Sequence, residues 1–121
     1  MSPSRRTLGE LGERLAVSHL LGRGWRILGR NVRSRYGEID VVARDAAGVL
    51  VFVEVRARSS RAFGTPEESL TPAKRARMAD CALDYLSRAP QPDQEWRIDL
   101  VAIELVDGRV ARLEHHEHVL Q

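Results

Sequence analysis

Three features of the sequence predict an α/β sandwich with a central mixed β-sheet flanked by helices. Two runs at helical spacing, 7–23 and 72–88, bracket two segments rich in β-branched residues, 38–44 and 49–58. Two more strand-like runs, 96–105 and 109–114, follow the second helix. The resulting order of helix, three strands, helix and two strands belongs to layered α/β folds. A chain of 121 residues suits one hydrophobic core, so 1–121 reads as a single domain, with 1–6 as a flexible N-terminal tail.

Thr7, Leu8, Gly9 and Glu10 form a capping-box pattern, in which the threonine hydroxyl and the glutamate close free amides at a helix start. Leu8, Leu11 and Leu15 then recur on one face, and Gly24 is placed to end the helix, near Arg23, in a left-handed turn. Trp25, Ile27 and Val32 mark a first strand that Gly29 and Asn31 make irregular. The runs 38–44 and 49–58 form a hairpin across Asp45, Ala46, Ala47 and Gly48. Thr71 followed by Pro72 starts the second helix, because proline's fixed φ and missing N–H suit the first helical position. Ala76, Ala79, Leu83 and Leu86 keep its apolar face until Pro90. Asp107 and Gly108 turn the 96–105 strand into the last one.

No apolar run approaches the ~20 residues of a membrane span, and no apolar core follows Arg5 and Arg6 to make a secretion signal. A cytoplasmic protein without a membrane partner is the expectation. The single cysteine, Cys81, cannot close an internal disulfide and reads as a packed thiol. Glycine fingerprints for dinucleotides, a P-loop and Cys/His zinc spacing are missing, which argues against nucleotide cofactors and structural zinc. Net charge is +2, yet residues 1–35 hold eight arginines against two acids, and 90–121 hold three against seven acids. Of the 19 basic residues only Lys74 is lysine. The planar guanidinium fork suits phosphate, although a GC-rich genome produces the same excess.

Strand alternation puts Glu38 and Asp40 on one face and Ile39, Val41 and Ala43 on the other. On the partner strand Val51, Val53 and Val55 face one way, and Phe52, Glu54, Arg56 and Arg58 the other. A carboxylate such as Glu54, set among valines, keeps its charge only with a partner or a metal. Asp40 and Glu54 on adjacent strands offer hard oxygen ligands to Mg²⁺ or Mn²⁺, ions that retain water and borrow further oxygens from a substrate phosphate. Glu13 shares its helical face with Ala16, Val17 and Leu20, an acid on a half-apolar stripe suited to a pocket.

Asp40, thirteen intervening residues, then Glu54, Val55 and Arg56 resemble the PD-(D/E)xK nuclease motif. The wider set is similar to the YraN-like family over nearly the whole chain. It comprises Gly12-Glu13-x-x-Ala16, Arg30-Asn31-Val32-Arg33, Gly37-Glu38-Ile39-Asp40, Phe52-Val53-Glu54-Val55-Arg56, Phe63-Gly64 and Arg97-x-Asp99. The resemblance implies a restriction-endonuclease-like fold shared with archaeal Holliday junction resolvases. There a helical glutamate, a strand aspartate and a second strand acid hold metal, at the positions of Glu13, Asp40 and Glu54. It also implies Mg²⁺-dependent cutting of structured or branched DNA, for which a homodimer is a common device. Arg56 departs from the pattern, which has lysine there. Arginine cannot act as a base, but it binds phosphate and stabilises charge in the transition state. The substitution keeps open a second function, a nucleic-acid-binding module with the nuclease fold but without the reaction. A protein-interaction domain is the third.

Arg30, Arg33 and Arg35, with Arg58 and Arg61 leaving the central strand, are candidates for tracking a phosphate backbone. Lys74 in the first turn of the second helix offers the ammonium that position 56 lacks. Glu38 is expected either to contribute to the site or, in the favoured reading, to balance Arg56 across the hairpin. Arg97 and Asp99 fit either an ion-pair network joined to the site or an edge surface. His115, His116, Glu117 and His118 read as a polar terminal strand rather than a metal site, since consecutive residues point to opposite faces.

Overall fold

The first helix begins one turn earlier than the capping box suggests. In the computed structural model, which describes residues 4–120, Ser4 is the N-cap, and its hydroxyl accepts the Thr7 N–H at 3.1 Å. Helix α1 runs Arg5–Gly22. Arg5 and Arg6 of the expected tail are therefore helical, and residues 1–3 lie outside the described region. Gly24 closes the helix end at φ +80°, as expected of a left-handed turn.

Strands β1 (Arg26–Ser34), β2 (Gly37–Arg44) and β3 (Leu50–Arg58) follow. After them come a short 3₁₀ turn (Glu67–Ser69), helix α2 (Pro72–Ser87) and strands β4 (Trp96–Val106) and β5 (Arg109–His116). The sheet order is β1-β2-β3-β4-β5, antiparallel throughout except for the parallel pair β3 and β4 that the α2 crossover joins. A five-stranded mixed sheet flanked by two helices is the restriction-endonuclease-like arrangement expected. None of its helices is long and apolar enough to cross a membrane among the described residues.

Parallel strands are covered on both faces, which explains the unbroken apolar runs of β3 and β4. Leu50, Phe52, Ile98, Leu100 and Ala102 pack with Met78, Cys81, Ala82 and Leu86 of α2. Val51, Val53, Val101 and Ile103 pack with Ala16 and Leu20 of α1 on the other face. Cys81 is a buried thiol, accepting the Ser34 hydroxyl at 3.3 Å.

The expected alternation on β2 fails at one point. Val41 and Ala43 face α1, but Ile39 joins Val42 in the α2 core. Opposite this stretch Asn31 of β1 takes φ 51°, and the β2–β3 register stops at Val41↔Val53. Here β2 keeps its pairing with β1, Val32↔Ile39, and has lost β3, so the strict period of two expected of a strand held on both sides no longer applies.

Helix α1 approaches β3 closely at Gly12, where an added Cβ would lie 2.9 Å from the Ala57 Cβ and 3.6 Å from Val55 Cγ1. This contact seats the next residue, Glu13, against the sheet. Gly12→Ala therefore has to push α1 outward, and the overpacking outweighs the gain in helix propensity. We expect a net loss of about 1–2 kcal/mol in denaturant unfolding, with stability unchanged as the contrary result.

Candidate active site

Beyond Val53 the β3 strand keeps its parallel partner β4 as far as Arg58↔Glu104 but has lost β2. Its edge there has backbone donors to satisfy. The Asp40 carboxylate fills the gap, with Oδ2 accepting the Val55 N–H at 2.8 Å. Next to it Glu54 is buried, its side chain 8% exposed, with Ile39, Phe52 and Met78 around it. Glu13 comes in from α1, and its Oε1 is buried with no hydrogen-bond partner among the described residues.

Burial first, then the Glu54 carboxylate beside it, raise the Asp40 pKa to about 8 against the pull of the Val55 amide. Glu13 is also raised, by burial and then by Asp40, with Arg30 opposing. Asp40 and Glu13, both raised by burial and then by neighbouring carboxylates, are short of cation, and the orphaned Glu13 oxygen lacks a ligand. The donors suit a hard divalent ion, which Asp40 and Glu54 could hold.

The predicted basic residues divide. Arg56 stays beside the acids, its Nη1 3.5 Å from Glu54 Oε2 and its Nε donating to the Ser69 hydroxyl at 2.9 Å. Lys74 reaches the same turn, donating to the Ser69 carbonyl at 3.2 Å. Its pKa is lowered by burial and then by Arg56 and Arg58. That of Arg58 is lowered by burial and then by Arg56 and Arg5. These cations line a groove of about 530 Å³ with Val55, Ser59, Ser60 and Phe63. Like charges crowded in one groove favour an anion.

Other candidates have partners already. Arg61 binds Glu104 through two bonds of 2.7 and 2.9 Å. Arg35 stacks on Tyr36, its Cζ 4.9 Å from the ring centroid, and Arg30 sits near Glu13. Glu38 pairs with Arg33 at 3.7 Å rather than with Arg56, because β2 has diverged from β3 where a cross-strand pair would form. Arg97 and Asp99 are neither joined to the carboxylates nor at a surface. Asp99 is fully buried between Arg97 and His115, and Arg97 continues to Asp45 at 2.7 Å.

Ser69 and Arg5 escaped the sequence reading, since nothing local ties a 3₁₀ turn or a terminal arginine to β3. A second group also escaped it. Glu67, Glu114 and His116 bring ligand atoms within 4.8 Å of one another, closer than the Glu13, Asp40 and Glu54 set. Arg112 already takes both Glu67 oxygens, at 2.6 and 2.7 Å, so a cation there competes with an existing ion pair.

The sequence model of "Uncharacterised protein family UPF0102" matches residues 12–103, a span that encloses Glu13, Asp40, Glu54 and Arg56. The chain belongs to the UPF0102 family. It is 44% identical over 110 residues to a UPF0102 protein of Geotalea daltonii, covering 91% of this chain and 86% of the relative. With a UPF0102 protein of Symbiobacterium thermophilum it shares 48% over 106 residues, 87% and 89% of the two chains. A UPF0102 protein of Pelotomaculum thermopropionicum matches at 43% over 120 residues, 98% of each. Membership of UPF0102 bears out the YraN-like resemblance carried by the motifs, and the UPF0102 match stops short of His115 and His116.

The Asp40 titration has a consequence for stability. Its folded pKa of about 8 lies above the ordinary 3.8, so the folded protein holds a proton that the unfolded chain releases. That contribution is complete at low pH and is lost as pH rises from about 4 through about 8. In chelator, the urea midpoint of the protein should fall between pH 5 and pH 9. Asp40→Asn, which cannot ionise and keeps an oxygen for Val55, should fall less steeply. Equal slopes would contradict the assignment.

Proposed function

We propose that this UPF0102 protein is a divalent-metal-dependent nuclease, with Mg²⁺ or Mn²⁺ as its ion and structured or branched DNA as its substrate. The observation that carries the reading is the gathering of Asp40, Glu54 and Glu13 where β2 leaves β3, next to a groove crowded with cations. When bound by Asp40 and Glu54, the ion supplies positive charge to a phosphate oxygen and lowers the pKa of a water.

The chain's own residues account for the rest. Arg56 is held by Ser69 and Glu54 with its guanidinium at the acids, suited to clamp the scissile phosphate and stabilise charge that develops on it. Lys74, whose pKa is lowered by burial and then by Arg56 and Arg58, brings to the groove the ammonium that the motif's lysine would supply. Arg5 and Arg58 extend the positive groove along the backbone of the nucleic acid. Glu13, raised in pKa, holds a proton more readily than an exposed glutamate and is placed to exchange it beside Asp40. Two copies acting across a two-fold axis would cut both strands of a branch.

A second reading has one observation in its favour. Arg56 is already engaged with Glu54, as in a structural ion pair, and a module that binds without cutting would use it in that way. Four-way junction, flap, single-stranded and plain duplex DNA, each incubated with Mg²⁺, Mn²⁺ or chelator, separate the two. We expect metal-dependent cleavage that Glu54→Ala lowers by roughly a hundredfold or more, the upper end of the loss from removing even an outer-shell partner of a metal. Arg56→Lys should still cut. Salt-sensitive binding without cleavage under every metal would favour the module, and neither binding nor cleavage would overturn both readings.

A further inference from the structure

We propose that Phe63 is a stacking platform for an unpaired base, and that the groove beside it takes a single-stranded segment of nucleic acid. The inference rests on the nucleic-acid reading above and narrows its substrate class. Phe63 is 94% exposed, against 59% for Val106, the next most exposed large apolar side chain among the described residues. It lines the same groove as Arg5, Arg56, Arg58 and Lys74.

The ring is displayed by a braced turn. The Gly64 N–H donates to the Arg61 carbonyl at 3.0 Å, which places Phe63 at the tip. On one side of the tip Arg61 is anchored by its two bonds to Glu104. On the other, the Thr65 N–H donates to Glu68 Oε1 at 2.9 Å. Gly64 takes φ +94°, and a Cβ there would lie 3.2 Å from the same Glu68 oxygen, so glycine allows the turn to close. Arg61, a candidate phosphate ligand from sequence, is here the anchor of the loop that carries the ring.

An apolar ring held in water beside a positive groove matches how proteins take up single strands, with cations following the phosphates and an aromatic face meeting a base. Every base has a π-face, so no sequence preference follows. In a duplex those faces are stacked against neighbouring pairs and the ring has nothing to meet. An acidic peptide would use the cations but gains little from the ring.

The test is anisotropy titration in chelator, so that nothing is cut, with labelled oligo(dT), an abasic strand of equal length and a duplex. Wild type should bind oligo(dT) more tightly than the abasic strand. Phe63→Ala should weaken oligo(dT) roughly tenfold and leave the abasic strand and duplex unchanged, while Phe63→Trp should retain the preference. If Phe63→Ala binds all three as wild type does, or loses equally on all three, the stacking role is overturned while the cationic groove stands. If wild type binds none of them, the nucleic-acid reading falls and this inference with it.

Discussion

The hydrogen bond from the Val55 N–H to Asp40 stands at the point where a sheet edge becomes a site. Had β2 stayed paired with β3, Asp40 would face the sheet like any strand residue and Val55 would bond to backbone. Because the register ends at Val41↔Val53, a side-chain oxygen takes over as acceptor. The replacement draws one carboxylate into a cramped, half-dry position beside Glu54, with Glu13 pressed in from α1. Burial and like charge then oppose ionisation of Asp40 and Glu13, a strain that a bound cation would relieve. The groove, the clamp and the loop beyond it extend from this break in the ladder along β3.

Much of this was legible in the sequence where the signal is local. The hairpin and the two strands after Trp96 follow from β-branched runs and turn residues, and α2 from Thr71 and Pro72. The acids at 13, 40 and 54 were legible through their motif. What escaped depends on contacts distant in sequence. Ser4 was missed as a cap because Leu8, Gly9 and Glu10 completed a better local pattern with Thr7, whereas Ser4 caps without a glutamate in reply. The face of Ile39 departs from simple alternation because β2 is held there by β1 alone, its pairing with β3 having ended at Val41. Glu38 meets Arg33 of β1 instead of Arg56 of β3 for the same reason.

The arginine excess turns out to serve two purposes. Arg61 and Arg112 tie β3's exit loop, the 3₁₀ turn and β5 together through Glu104 and Glu67. Arg97 does the same for Asp45, Asp99 and Glu117 at the opposite face. Arg5, Arg56 and Arg58 share the groove with Lys74, and burial and then the neighbouring guanidinium charges lower the pKa of Arg58 and of Lys74. A count of basic residues could not have made this division, because the acids that claim the structural arginines come from other elements.

The most direct test of the carboxylate centre is paramagnetic broadening of backbone amide signals by substoichiometric Mn²⁺. We expect Asp40, Glu54 and Val55 to broaden first and excess Mg²⁺ to restore them. Broadening confined to Glu67, Glu114 and His116, or none that Mg²⁺ reverses, would contradict a metal centre at the split between β2 and β3.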